Sequence, residues 1–154
     1  MTDKWVPPVE KPLGMKNVER ARVVSGVAVV DRRRIFLAQR DPARSDFGYA
    51  WETPGGKVEF GEMSAHAMKR EWQEELGLDV ELLERLATFD FDPPVCRVPV
   101  RVAMYRVRLD PYDVPERRQV LGFGWFTLDE ALALTLTPST NALLLSPVGR
   151  GLFA

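Results

Sequence analysis

Apolar and polar positions follow two different rhythms along this chain, and the change of rhythm marks its elements. Residues 22–30, RVVSGVAVV, are dominated by β-branched side chains and predict a buried strand. Residues 31–34 predict a polar turn and residues 35–39 a returning strand, which together make a hairpin. A loop rich in charge, glycine and proline follows over residues 40–49. After an apolar-edged stretch at Trp51, the tripeptide Pro54-Gly55-Gly56 predicts a turn. The clearest helix spans residues 64–76, with Ser64 as its N-cap and Gly77 where a left-handed C-terminal residue is wanted. Residues 80–91 and 98–109 predict two strands joined as a long hairpin through Asp92-Pro93-Pro94, and residues 122–126 one more strand. Thr127 with Glu130 forms a capping-box pattern, and Thr137-Pro138 opens a last helix running to residue 145. The first twenty residues, with Pro7, Pro8, Pro12 and Gly14, have neither rhythm and predict an extended arm. Strands and helices mix without regular alternation, so the expected fold class is α+β, a mixed sheet with helices on its faces. Residues 1–21 form the arm and residues 22–154 one domain.

Within the helix, 100° per residue puts Ala65, Met68, Trp72 and Leu76 on one apolar stripe. Glu71, Glu74 and Glu75 share an arc beside it, and Lys69, Gln73 and His66 face solvent. Like charges three or four residues apart destabilise a helix by about 0.2–0.5 kcal/mol per pair, and Glu71 meets both other glutamates. Arg70, four residues before Glu74, relieves part of that repulsion. Glu71 and Glu75 have no basic residue at either spacing, so a solvated acidic face and a bound divalent cation are both open readings. An oxygen-only ligand set suits Mg²⁺ or Mn²⁺, and a chain with one histidine and one cysteine does not offer a zinc site.

Composition narrows the classes. The 154 residues are 45% apolar and 28% charged, enough for one continuous core. A formal charge of −1 provides no broad field for a nucleic-acid backbone or an anionic membrane. The lone Cys96 cannot form an internal disulfide, and no secretory-type leader or apolar run of membrane-spanning length is visible, so a cytoplasmic protein is expected. A serine hydrolase would need a G-x-S-x-G elbow and a histidine partner, and the elbow is missing.

The residues from Gly56 through Glu62 to Arg70-Glu71-Trp72-Gln73-Glu74-Glu75-Leu76-Gly77-Leu78 resemble the Nudix box: G, five residues, E, seven residues, REUxEExGU. All seven fixed letters are present, and with each used at about 7% or less a chance match is on the order of one in a million. LAQR before the loop, WETPGGK leading in and the later Trp125-Phe126 resemble the family's MutT-like branch. Trp72 departs from the aliphatic residue usual at its position but remains bulky and apolar. The resemblance implies an α/β/α sandwich and a hydrolase that cuts the diphosphate linkage of a nucleotide or nucleoside diphosphate derivative. It implies metal ligands at the Gly56 carbonyl and at Glu71, Glu74 and Glu75, and a supporting pair Glu62 and Arg70. Gly77 belongs to the structural part of the box.

The chemistry so implied is substitution at phosphorus by water without a covalent intermediate, in which Glu71 and Glu74 act as catalytic carboxylates. Glu116 is a candidate general base, with an exposed loop charge as the plainer alternative. Arg40, Lys57 and Asn141 are candidate substrate contacts, Arg40 to phosphate and Asn141 to a base through its amide. A nucleoside triphosphate is the favoured substrate. Pro93 and Pro94 instead resemble a position of the ADP-ribose branch, and a non-catalytic nucleotide-binding domain is a further alternative, although every box glutamate is retained. An isomerase of the isopentenyl diphosphate type would need its cysteine earlier than Cys96. The chain is expected to be a monomer or homodimer.

Overall fold

The computed structural model describes residues 18–44 and 46–154, so most of the expected arm lies outside the described residues. β1 (Ala21–Val27), β2 (Val29–Val30), β3 (Arg34–Arg40), β4 (Trp51–Glu52) and β5 (Gly55–Lys57) precede α1 (Ser64–Leu76). After it come β6 (Glu81–Phe91), β7 (Val100–Arg108), β8 (Val120–Phe126), α2 (Leu128–Leu132), α3 (Pro138–Leu145) and α4 (Pro147–Gly151). The strand expected over residues 22–30 is divided at Ala28. Its two parts enter different four-stranded sheets, where one mixed sheet had been expected. One sheet runs β5-β1-β7-β6, with β1 and β7 parallel and the other pairs antiparallel. The other has β3 paired with β2, β4 and β8, all antiparallel.

Both sheets contribute to two cores, which makes the molecule a sandwich of helices around strands. Val24, Phe36 and Ala38 pack with Met68, Trp72 and Leu76 of α1 on one side. Val27, Ile35, Leu37 and Met104 pack with Ala131, Leu143 and Leu144 of α2 and α3 on the other. Neighbouring residues of β1 and β3 thus face opposite cores, which is why their sequences read as apolar runs without alternation.

Three local departures have physical causes. Gly55 and Gly56 were expected in a turn, but with Lys57 they form an edge strand on β1, pairing Ser25 with Gly55 and Val24 with Gly56. A Cβ on Gly55 would stand 1.9 Å from the Val24 carbonyl oxygen, so only glycine permits this approach. The N-cap of α1 is the extended Met63; Ser64 is the first helical residue, and its hydroxyl accepts from Arg22 at 3.4 Å instead of capping. The buried stripe of α1 contains Ala67 where Ala65 was expected, because the helix leans its Glu71 side toward β5. Gly77 is left-handed (φ 64°), and N–H groups of Gly77 and Leu78 return to Gln73 and Trp72.

Candidate active site

Trp72 anchors the middle of α1. Its indole N–H donates to the Pro54 carbonyl at 3.0 Å, and its ring lies over Gly26, where a Cβ would sit 2.7 Å from the indole nitrogen. The neighbouring Glu71 is thereby laid on β5: a Cβ at Gly56 would come within 2.4 Å of the Glu71 carboxyl carbon. One turn further, Glu75 carries a carboxylate oxygen, Oε2, that is shut off from solvent and has no hydrogen-bond partner among the described residues. Burial pushes the Glu75 carboxyl well above the ordinary carboxylate range, and the nearby charges of Glu52 and Glu71 add to the shift. Burial raises Glu71 too, against the opposing hydrogen bond from Arg70.

Glu52 is the site residue that sequence reasoning missed. It sits in the two-residue β4, its side chain only 14% exposed, and accepts both Arg40 hydrogen bonds at 2.9 and 2.7 Å. Burial raises its pKa while Arg40 opposes the shift. The available signal was a carboxylate immediately after Trp51 and before buried Thr53, in a segment read only for its apolar edge. A chain of buried hydroxyls fixes this strand: Ser25 Oγ donates to the Thr53 carbonyl at 2.8 Å, and the Thr53 N–H donates to Thr140 Oγ1 at 3.1 Å. It joins β1, β4 and α3 just behind Glu52.

Arg70 organises the other border. Its guanidinium forks onto Glu62 (Nε to Oε2 2.8 Å, Nη2 to Oε1 2.9 Å), and it also donates to the Lys57 carbonyl at 2.9 Å and to Glu71 at 2.9 Å. Glu62, which also accepts from the Glu59 N–H, is held far below the usual carboxylate range, chiefly by the Arg70 bonds. Arg70 is raised correspondingly by Glu62. Glu74 lies on the exposed rim, 3.4 Å from Arg70 Nη1.

The donor set fits a hard divalent cation in one specific respect: an unpaired, solvent-excluded carboxylate oxygen faces two more carboxylates with no histidine or cysteine among them. The carboxylates do not already converge into a cage among the described residues, since Arg70 occupies one oxygen of Glu71 and reaches Glu74. A cation would draw them away from Arg70.

Beside this acidic group opens a cavity of about 570 Å³. Arg40, Glu52 and Lys57 line the end nearest these carboxylates, and Val95, Val100 and Val102 its apolar wall, with Thr137 and the α3 residues Pro138 and Ser139 closing the side. The site therefore joins Gly56, Glu71, Glu75, Lys57 and Arg40. Arg40 is engaged with Glu52 and with the Asp46 carbonyl at 2.7 Å, while Lys57 is exposed. Asn141 is half-buried in the next turn of α3, outside the cavity lining, and its side-chain amide makes no hydrogen bond among the described residues. Glu116 stands at the C-terminal end of α1. Its N–H donates to the Leu76 carbonyl at 2.8 Å, and its carboxylate, on a side chain 61% exposed, accepts from Arg118 at 2.9 Å.

The model of the NUDIX domain matches residues 19–145 of this chain. A CTP pyrophosphohydrolase of Escherichia coli K12 is 34% identical over 124 residues, which cover 76% of this chain and 84% of that protein. An 8-oxo-dGTP diphosphatase of Proteus vulgaris is 39% identical over 80 residues, covering 52% of this chain and 70% of that protein. Among solved structures, the E. coli ORF135 protein superposes with a TM-score of 0.69 at 31% identity, covering 87% of this chain and 91% of that one.

Proposed function

Since the chain belongs to the Nudix family, in its MutT-like branch, we propose that it hydrolyses a nucleoside triphosphate to the monophosphate and pyrophosphate with a divalent metal ion. The observation that carries this reading is the buried, unpaired Glu75 oxygen close to Glu71 and to Glu52, which lines a cavity of nucleotide size. Glu71, Glu74, Glu75 and the Gly56 carbonyl would hold Mg²⁺ or Mn²⁺, which supplies charge neutralisation at the phosphate oxygens and a lowered pKa for water. Lys57, exposed at the end of the cavity nearest the carboxylates, binds a phosphate oxygen as a point charge. Arg40 reaches phosphate only by exchanging part of its pair with Glu52, so substrate binding and the state of Glu52 are linked.

Two carboxylates compete for the role of general base. Glu52 lines the cavity and its pKa is moved toward the range where a carboxylate can take a proton from water. Glu116 is bound to Arg118 outside the cavity lining, so Glu52 is the better-supported base. Arg70, through Glu62 and the Lys57 carbonyl, orients the segment that carries Gly56. Asn141, with an unbonded amide one turn past Pro138, is the proposed reader of the base. The similarity to proteins named for CTP and 8-oxo-dGTP supports a triphosphate substrate.

The test is release of pyrophosphate from canonical and oxidised nucleoside triphosphates, beside cleavage of ADP-ribose and dinucleoside polyphosphates, with Mg²⁺ or chelator. The expected result is metal-dependent release of pyrophosphate that Glu75→Gln abolishes. Preferred cleavage of ADP-ribose would replace the triphosphate reading. Nucleotide binding without turnover on any substrate would replace the enzyme by a binding domain.

A further inference from the structure

We infer that the face of the β5-β1-β7-β6 sheet opposite the nucleotide cavity carries a second ligand site, a groove that binds a small phosphate-type anion. Strand alternation separates the two faces on β7, while Val23 of β1 borders both openings. On β7, Val100 and Val102 line the cavity described above, whereas Arg101, Ala103 and Tyr105 line a groove of about 300 Å³ beyond the start of α1. That volume is at the bottom of the range for small-molecule pockets, about 300–1,000 Å³, and suits a compact anion better than a whole nucleotide.

The lining is one-sided in its chemistry. Arg20, Arg22, Arg85 and Arg101 border the groove, Ser64, Thr88 and Tyr105 add three hydroxyls, and no aspartate or glutamate among the described residues borders it. This occurs on a chain whose formal charge is −1. Two of the arginines are already neutralised. Arg101 forks onto Asp90 at 2.8 and 3.0 Å, and Arg20 pairs with Asp92 at 2.8 Å. The other two are not: Arg22 reaches only the Ser64 hydroxyl at 3.4 Å, and Arg85 has no hydrogen-bond or ion-pair partner among the described residues. Among the described residues the groove therefore has an excess of two positive charges, and its solvent-exposed guanidinium donors are free to pair with acceptor oxygens, which a phosphate supplies with matching charge and a neutral ligand does not.

The backbone aims Arg85 at this place. From Thr88 opposite Ala103 and Ala87 opposite Met104, regular antiparallel pairing would set Leu86 opposite Tyr105. A register shift instead sets Arg85 there, and a second shift follows before Leu82. The displaced Leu86 packs against the second core. The bulged strand thus exchanges an apolar side chain for a guanidinium on the groove face, the kind of redirection that bulges provide.

Binding of inorganic pyrophosphate to the full-length protein, measured by titration calorimetry in chelator at low salt, tests the site without using its metal-dependent chemistry. The expected result is metal-independent binding that is still present in Lys57→Gln, which removes the phosphate contact proposed in the nucleotide cavity, and that weakens as salt is added. Arg22→Gln with Arg85→Gln should weaken it about 10–100-fold, as the loss of charged hydrogen bonds implies. Glu75→Gln and Lys57→Gln should leave it unchanged. Arg85→Lys, which keeps the charge and loses the fork, should give an intermediate affinity, and circular dichroism should show all variants folded. Competition by a nucleoside triphosphate at this site would identify a nucleotide tail as its natural source of phosphate, and lack of competition a free anion. No binding by the wild type, or binding that survives in the folded double variant or is lost in Lys57→Gln, would overturn the assignment.

Discussion

Glu75→Gln should make the metal-free protein more stable while destroying its response to metal. The wild type holds an unpaired carboxyl oxygen of Glu75 away from water, with the charges of Glu52 and Glu71 close enough to raise its pKa further. A buried polar group without a partner costs about 1–3 kcal/mol, and more when charged. Glutamine keeps the side chain's shape, cannot ionise beside Glu52 and Glu71 and adds an N–H donor in an acidic surrounding, so most of that cost should be recovered. For a chain of 154 residues, each kcal/mol moves Tm by about 2–4 °C, giving a rise of about 2–12 °C in chelator. Mg²⁺ at a hundred times its dissociation constant should then stabilise the wild type by about 2.7 kcal/mol and leave the variant almost unmoved. Acidity gives an independent sign. The folded-state pKa of Glu75 is raised above its unfolded value, so its contribution to stability is present at low pH and lost as pH rises through the folded pKa. The metal-free wild type should therefore gain stability relative to Glu75→Gln as the pH is lowered from neutral. Scanning calorimetry of both proteins with Mg²⁺ and with chelator, at two pH values, measures all three effects. A variant less stable than the wild type in chelator, together with a wild type indifferent to Mg²⁺, would show that Glu75 has a structural partner and that the reasoning is wrong.

Glu52→Gln should lower kcat by about 10²–10⁴, the usual contribution of a general base, whereas Glu116→Gln should leave it near wild type; steady-state kinetics on the best triphosphate decides between them. Gly56→Ala drives a Cβ against the Glu71 carboxyl, so it should abolish turnover and the Mg²⁺-dependent rise in Tm while the purified protein stays folded by circular dichroism. Arg70→Lys loses the fork onto Glu62 and should weaken Mg²⁺ activation about 10–100-fold, read from the metal dependence of the rate. Gly55→Ala places a methyl group on the Val24 carbonyl oxygen and should cost about 1–3 kcal/mol in urea unfolding through displacement of β5.

What the sequence disclosed about this fold follows the range of the forces involved. The left-handed Gly77, the Thr127–Glu130 capping box and the burial of Met68, Trp72 and Leu76 arise within a turn or two of helix, so local spacing suffices to find them. The division of the first strand at Ala28 has no local signal, because Val27 and Val29 are equally fit for a strand. It exists because the chain moves from one sheet to the other, with the Phe36 N–H donating to the Ala28 carbonyl at 3.0 Å. Glu52 was hidden for a similar reason. Its burial comes from β3, from Arg40 and from the hydroxyl chain to α3, none of which is near it in sequence. Arg85 is the reverse case: alternation counted along β6 puts it on the wrong face, and only the register against β7 reveals the bulge.

The same distinction explains the conflict built into α1. Most of the helix is consistent at every level, from its left-handed C-terminal glycine to its buried tryptophan, as expected of a sequence that specifies one structure. Glu71 and Glu75 break that consistency. They are like charges four residues apart, both drawn toward burial, and the nearest arginine serves Glu62 first. A purely structural helix would be better served by neutral residues at these positions. Arg70 and Glu62 keep the helix in place by contacts that leave one oxygen of Glu75 unused, so the unfavourable charge is held in position without being relieved. A cation entering there would meet carboxylates whose cost of burial has already been met by folding. On the proposed function, that prior arrangement would give a weakly charged protein a local place for a metal ion and a polyphosphate.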